Sequence, residues 1–147
     1  MKRSAIFPGS FNPFTVGHKD IVVRALSIFD KVIIAIGINS DKATTSDAEL
    51  RAESIKRCFE DNPDVEVCVY SGLTVDLCRK CNVFTLIRGI RDCADWEYER
   101  KIADVNRLMD SRVETVYLQT SPQYASISSS VVRDIAHHGG DVSEFLP

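Results

Sequence analysis

The chain has 147 residues, 44% of them hydrophobic and 27% charged, a balance that suits one compact domain and excludes a disordered or fibrous chain. Its formal net charge is only −3, so no long-range positive field exists to gather nucleic acid. No apolar run is long enough for a signal peptide or a membrane span. The five cysteines form an odd set with no second pair for zinc, which points to free thiols in a reducing cytoplasm.

Short β-branched runs alternate with amphipathic stretches along the chain. Ser4–Phe7 reads as the first strand, and the glycine-bearing loop Pro8–His18 leads from it into a first helix striped by Ile21, Ala25, Ile28 and Phe29. Val32–Ile38 is a second strand, followed by the polar loop Asn39–Lys42 and by Ser46 and Glu49 at capping-box spacing for a second helix. Val65–Tyr70 is the third strand. The pair Cys78 and Cys81 falls inside the helix that follows, whereas a redox pair opens one, so these are expected to be ordinary buried or half-buried thiols. Val83–Ile87 is the fourth strand and runs into Arg88-Gly89-Ile90-Arg91. Tyr98, Ile102, Val105 and Met109 stripe the fourth helix at helical spacing, and Thr115–Leu118 is the fifth strand. Ser128–Ser130 are placed to cap a last helix that carries Arg133 and ends near His137 and His138, which complement its dipole. No repeat or linker interrupts this order, so residues 1–147 are read as a single domain. Its fold class is α/β, one doubly wound parallel sheet covered on both faces.

In such a sheet, ligands sit at the carboxyl ends of the strands. Four loops there carry unusual residues. In the first, Gly9 is expected to make a sharp turn with the backbone close to a ligand, and Gly17 to do the same as the helix opens. His18 then falls in the first helical turn, where unpaired N–H groups and the dipole favour phosphate. It is not a P-loop, since no Gly-Lys-Ser/Thr follows. The second loop holds Lys42. The third places Arg88 and Arg91 at the end of a buried strand, where guanidinium groups are costly unless they meet anions. Asp95 and Glu99 either brace them or coat the helix. The fourth, Tyr124–Ser130, offers hydroxyls and free N–H groups at a helix start.

These segments together, with Leu86–Arg91, Asp95–Glu99, Ile127–Arg133 and Gly140–Pro147, closely resemble the bacterial phosphopantetheine adenylyltransferases. That family belongs to the nucleotidyltransferases with a histidine–x–glycine–histidine signature, and Thr15 stands here for the leading histidine. The resemblance covers nearly the whole chain and implies a Rossmann-like fold. It implies transfer of the adenylyl group of ATP to 4′-phosphopantetheine in coenzyme A biosynthesis, with Mg²⁺ accompanying ATP and no metal held by the protein itself. It also implies a homohexamer. By the same resemblance, His18 stabilises the transition state, with Lys42 and Arg91 as further catalytic groups. Ser10, Lys42, Thr74 and Arg88 hold phosphopantetheine. The ATP site comprises Ser10, Phe11, His18, Gly89, Ile90, Arg91, Glu99, Tyr124, Ala125, Ser126, Ile127, Ser128, Ser129 and Ser130.

Three features depart from the family pattern. Ser10 replaces a common threonine, Thr74 replaces a more usual apolar residue, and Ala43–Ser46 lacks an expected proline and phenylalanine. The family's final helix is also not present before Pro147. An acceptor phosphate is already ionised near neutral pH, its second pKa being about 6, so no general base is required. The chemistry then rests on positioning and preorganised charge, supplied by His18, Lys42, Arg88 and Arg91. A sister nucleotidyltransferase acting on another phosphate acceptor, and a catalytically silent nucleotide sensor, are the competing readings. As a helix-start residue beside a cleft, His18 is expected to serve chemistry and not the core.

Overall fold

The computed structural model describes residues 1–38 and 45–147. Five strands, β1 (Ser4–Gly9), β2 (Lys31–Ile38), β3 (Val65–Ser71), β4 (Thr85–Ile90) and β5 (Glu114–Gln119), form one sheet in the order β3-β2-β1-β4-β5. All pairs are parallel. The helices are α1 (Val16–Ala25), α2 (Thr45–Cys58), α3 (Thr74–Cys81), α4 (Cys93–Met109) and α5 (Ser129–His137). This is the doubly wound α/β architecture expected from the alternation.

The period of two along each strand divides the core between the faces. Ala5, Phe7, Val32, Ile34, Ile36 and Ile87 point to one side, where they meet Ile21, Val22 and Ala25 of α1 and Ala48, Ala52 and Ile55 of α2. Ile6, Ile33, Ala35 and Leu86 point to the other, against Val75, Leu77 and Cys78 of α3. Burial on both faces explains the near-continuous apolar runs of β1 and β2.

Two sequence expectations change. β4 extends to Ile90, so Arg88, Gly89 and Ile90 are the last residues of a strand, and Arg91 alone of that group lies beyond it. α2 begins at Thr45, one residue before Ser46, so Ser46 does not stand outside the helix as a cap. Ser128 does cap α5, its side chain accepting from Val131 N–H at 3.2 Å.

The larger correction is α4. Its apolar stripe faces outward: Tyr98 is 65% exposed and Val105 52%, with Ile102 and Met109 exposed as well. The residues it buries are Glu99 and Asn106. Glu99, Ala103 and Asn106 recur at i, i+4 and i+7, so they line a neighbouring face of the same helix, with Ile102 at the border between the two. Helical periodicity identifies two such faces and cannot say which one meets the sheet. Among the described residues, no helix is long and apolar enough to cross a membrane.

Cys78 and Cys81 lie within the last turn of α3 as free thiols, Cys78 buried and Cys81 half-buried. Burial pushes the Cys78 thiol up to about 11, and the neighbouring Cys81 adds to the shift; such a thiol is inert. Replacing both with alanine is expected to leave turnover within about twofold while lowering stability by on the order of 1 kcal/mol. Thermal melting and steady-state rates on one preparation check this. Stoichiometric zinc that is lost in the double variant would contradict it.

Candidate active site

β1 and β4 adjoin where the strand order reverses, with Ile6 opposite Leu86. Beyond that pair Pro8 has no N–H to extend the ladder, and its carbonyl accepts instead from Arg88 Nη1. A crevice opens there at the carboxyl ends of the two strands, where such sheets bind ligands.

The first loop crosses this crevice through a constrained backbone. Phe11 adopts φ +46°, a left-handed conformation that costs a bulky residue roughly 1–2 kcal/mol. Its ring folds back over Gly9, where a Cβ would lie 2.9 Å from the ring. Gly9 is therefore needed for close approach, while the turn expected of it is made by Phe11. Gly17 differs as well: it sits inside α1, and a Cβ there would meet its neighbours at an ordinary 3.5 Å. Burial of Phe11, with edge-on contacts to Phe7 at 5.0 Å and Phe14 at 5.4 Å, offsets the strain.

Thr15 is the N-cap of α1, and His18 is the third residue of the helix. The Thr15 side chain accepts from His18 N–H, and His18 Nδ1 accepts from Thr15 N–H at 2.9 Å, which closes a capping box. Because Nδ1 is an acceptor, the proton of the neutral ring resides on Nε2. The ring stacks on Phe14 at 5.4 Å and meets the edge of Phe11 at 5.1 Å. His18 is thus half-buried, packed on the loop's phenylalanines and lining the crevice, and it belongs to neither face of the core. Burial, then the charges of Arg88 and Arg91, hold its pKa down at about 4. At neutral pH it is an uncharged donor, not a cation.

The arginines are placed by the carboxylates that follow them. Arg88 grips Glu99 with both arms of the fork, Nη2 to Oε1 at 2.7 Å and Nε to Oε2 at 2.9 Å. With Nη1 also given to Pro8, two of its five N–H groups are left for a ligand. Arg91 is held by Asp95, Nε to Oδ2 at 3.0 Å, and the Asp95 carboxylate also accepts from Arg91 N–H. Burial raises the Asp95 carboxyl, but the hydrogen bonds from the Arg91 side chain and backbone outweigh it and keep the group below its ordinary range. Asp95 and Glu99 therefore brace the guanidinium groups. From the other side, Ser129 Oγ donates to Pro13 O at 2.8 Å and Arg133 Nη1 to Asn12 O, which pins the start of α5 to the first loop.

Two cavities result, of about 340 Å³ and 330 Å³. The first is lined by Ser10, Phe11, His18, Gly89, Arg91, Glu99 and Ile127–Ser130, all expected site residues. Thr15, Ile21, Asp95, Thr120 and Arg133 line it too. The second lies between α4 and the sheet and is lined by Ser10, Thr74, Arg88 and Glu99, together with Gly37, Tyr70, Ile102 and Asn106. Pro8, Gly9, Ser10, Arg88 and Glu99 belong to both and form their common wall.

A comparison with known proteins now has a geometry to meet. The Cytidylyltransferase-like family matches residues 6–135. A phosphopantetheine adenylyltransferase of Porphyromonas gingivalis is 54% identical over 146 residues, spanning 99% of this chain and 95% of that one. The protein of the same name from Cytophaga hutchinsonii is 49% identical, spanning 100% and 98%. The chain belongs to the phosphopantetheine adenylyltransferase family. A solved structure, a putative nicotinate-nucleotide adenylyltransferase from Vibrio parahaemolyticus, superposes with a TM-score of 0.71 at 23% identity, over 99% of this chain and 94% of that one. That likeness concerns the fold.

Not every expected residue reaches the cavities. Ile90, Tyr124, Ala125 and Ser126 do not line the first one. Tyr124 instead closes a short 3-10 turn, Pro122–Tyr124, whose last side chain lies over Gly17. Lys42 falls outside the described residues. Among the polar residues lining the second cavity, sequence reasoning missed Tyr70, Asn106 and Thr115. Asn106 stands seven positions after Glu99, two helical turns along the same face, and that spacing was the legible signal for it.

Proposed function

We propose that the first cavity takes ATP and the second 4′-phosphopantetheine, with their phosphates meeting across the wall that carries Ser10 and Arg88. The enzyme transfers the adenylyl group of ATP to 4′-phosphopantetheine, which yields dephospho-coenzyme A and pyrophosphate in coenzyme A biosynthesis. The observation that carries the assignment of the cavities is that shared wall: two basins of similar size joined at one bidentate, partly unsatisfied arginine.

The ionised acceptor phosphate attacks the α-phosphorus, a P–O bond forms, and the bond to the bridging oxygen of pyrophosphate breaks. No residue need remove a proton. His18 supplies a neutral Nε2–H for the charge that develops in the transition state, and its capping box holds the ring without reorganisation. Arg88 and Arg91, braced by Glu99 and Asp95, offer fixed positive charge on either side.

Mg²⁺ is read as arriving with the triphosphate. Among the described residues no group of three or more His, Cys, Asp or Glu side chains could hold a metal, and Asp95 and Glu99 are engaged by the arginines. The ion would thus rest on phosphate oxygens and water. Assembly with further copies, the hexamer of the resemblance, is supported by the outward apolar face of α4. A cytoplasmic location is supported by the five free thiols.

Pyrophosphate release tested on a panel of acceptors examines the reading. With 4′-phosphopantetheine the rate is expected to be high, and with pantetheine lacking the phosphate at least roughly 10³-fold lower, because buried charge is then left unpaired. Comparable turnover of pantetheine, or a preference for nicotinamide mononucleotide, would overturn the acceptor assignment.

A further inference from the structure

The segment that follows β5 forms one edge of the first cavity. Thr120 and Ile127 line that cavity, and the stretch between them, residues 121–126, does not. This stretch is a run of tight turns. Ser121 O accepts from Tyr124 N–H at 2.9 Å, and Tyr124 O accepts from Ile127 N–H at 3.0 Å. Each turn hangs from the one before, so the position of Ser121 sets that of Ile127.

Ser121 is fixed in turn from α1. Pro122 keeps it extended, at φ −60° and ψ 139°, and its side chain makes no cap for the turn that it opens. The hydroxyl instead donates to Asp20 Oδ2 at 2.7 Å, across 101 residues of sequence. So short an O–H···O⁻ bond is of the charge-assisted kind. Arg24, one helical turn along from Asp20, completes the clamp: its Nη1 donates to Asp20 Oδ2 at 3.3 Å and to Gln119 O at 2.8 Å. A carboxylate and an arginine at i, i+4 on a helix surface are ordinarily worth little. Here both members reach off the helix to the same loop, and the Asp20 side chain is only 23% exposed, which gives the pair a second task. The far end of the segment is tied to the first loop by Ser129 and Arg133. Its middle rests on α1, where Tyr124 Cβ lies over Gly17.

We propose that Asp20, through Ser121, is a positioning residue for the nucleotide, holding the edge of the first cavity in order before ATP arrives. The proposal rests on the assignment of that cavity to ATP. Asp20 lines neither cavity, so it touches no reacting atom. A binding edge ordered in advance strengthens ATP binding equally in the ground state and the transition state.

Ser121→Ala removes only the hydroxyl of a half-buried residue, so the fold is retained. This variant and Asp20→Ala are each expected to raise the KM for ATP roughly 5- to 20-fold, with kcat and the acceptor KM within about twofold of wild type. The two changes together are expected to do no more than the larger alone, because they break one contact. Ser121→Thr keeps the hydroxyl and suits the extended backbone before Pro122, so it is expected to keep the ATP KM of wild type. A purely structural clamp would lower the melting temperature of Ser121→Ala and leave the ATP KM where it was, and that result overturns the proposal. Losses that multiply in the double variant, or an ATP KM raised as much by Ser121→Thr as by Ser121→Ala, overturn it as well. A rise in the acceptor KM with none in that for ATP would instead remove the assignment of the first cavity, and this proposal with it.

Discussion

His18→Asn is expected to lose roughly 10²–10³ in turnover while keeping most of its stability, the loss typical when a donor to developing charge is removed. The asparagine oxygen falls near the position of Nδ1, so it can still accept from Thr15 N–H and close the capping box, but no donor then occupies the Nε2 position. His18→Gln reverses the division. Its amide reaches toward Nε2 and is expected to restore part of the turnover, while the lost cap costs about 1 kcal/mol. ATP affinity should change far less than turnover in both variants, because the contact strengthens mainly in the transition state. Measuring turnover and melting on the same two proteins decides the matter. An active His18→Asn enzyme would mean that the ring only packs against Phe11 and Phe14.

The same residue makes stability depend on pH. The pKa of His18 lies near 4 in the folded protein against an ordinary 6.5. Between those values the unfolded chain binds a proton that the folded protein does not. The contribution is complete above pH 6.5, declines as the pH falls through the window, and is gone below about 4. At about 1.4 kcal/mol per pKa unit it is worth roughly 3 kcal/mol. Wild type is expected to lose more stability than His18→Asn between pH 6.5 and 4, and parallel curves would refute the burial of a neutral ring.

Arg88→Met is expected to reduce catalytic efficiency by roughly 10²–10⁴, since two charge-assisted donors to phosphate disappear at about 1.5–3 kcal/mol each. It is also expected to destabilise the protein, because the Glu99 side chain is only 9% exposed and loses both of its bonds. Removing one partner of a buried pair costs about 3–5 kcal/mol; the 31% exposure of Arg88 places this case near the lower end. Replacing Glu99 with Met as well should recover most of the stability and none of the activity. Arg88→Lys should recover little, because one ammonium cannot span both carboxylate oxygens and the Pro8 carbonyl. Denaturation and kinetics on the single and double variants test this. A double variant as unstable as Arg88→Met would show that the unpaired Glu99 is not the cause.

The linear sequence by itself determined the fold class, through strands and helices whose periods of two and 3.6 alternate without interruption. It also marked the chemistry of the first cavity, because His18, Arg88, Arg91 and the serines at the start of α5 end or follow strands or open helices, where an α/β sheet must bind its ligands. Three matters were decided only by the tertiary structure. Which face of α4 turns inward depends on what lies opposite, and there a cavity lined with polar groups took Glu99 and Asn106 in place of the apolar stripe. The role of Gly9 depends on a ring two residues away, whose return over it follows from packing among three phenylalanines. The charge state of His18 depends on burial and on Arg88 and Arg91, which are some seventy residues distant in the chain and beside it in space. Local pattern encodes which elements form, whereas the polarity of a site arises from groups that only folding brings together.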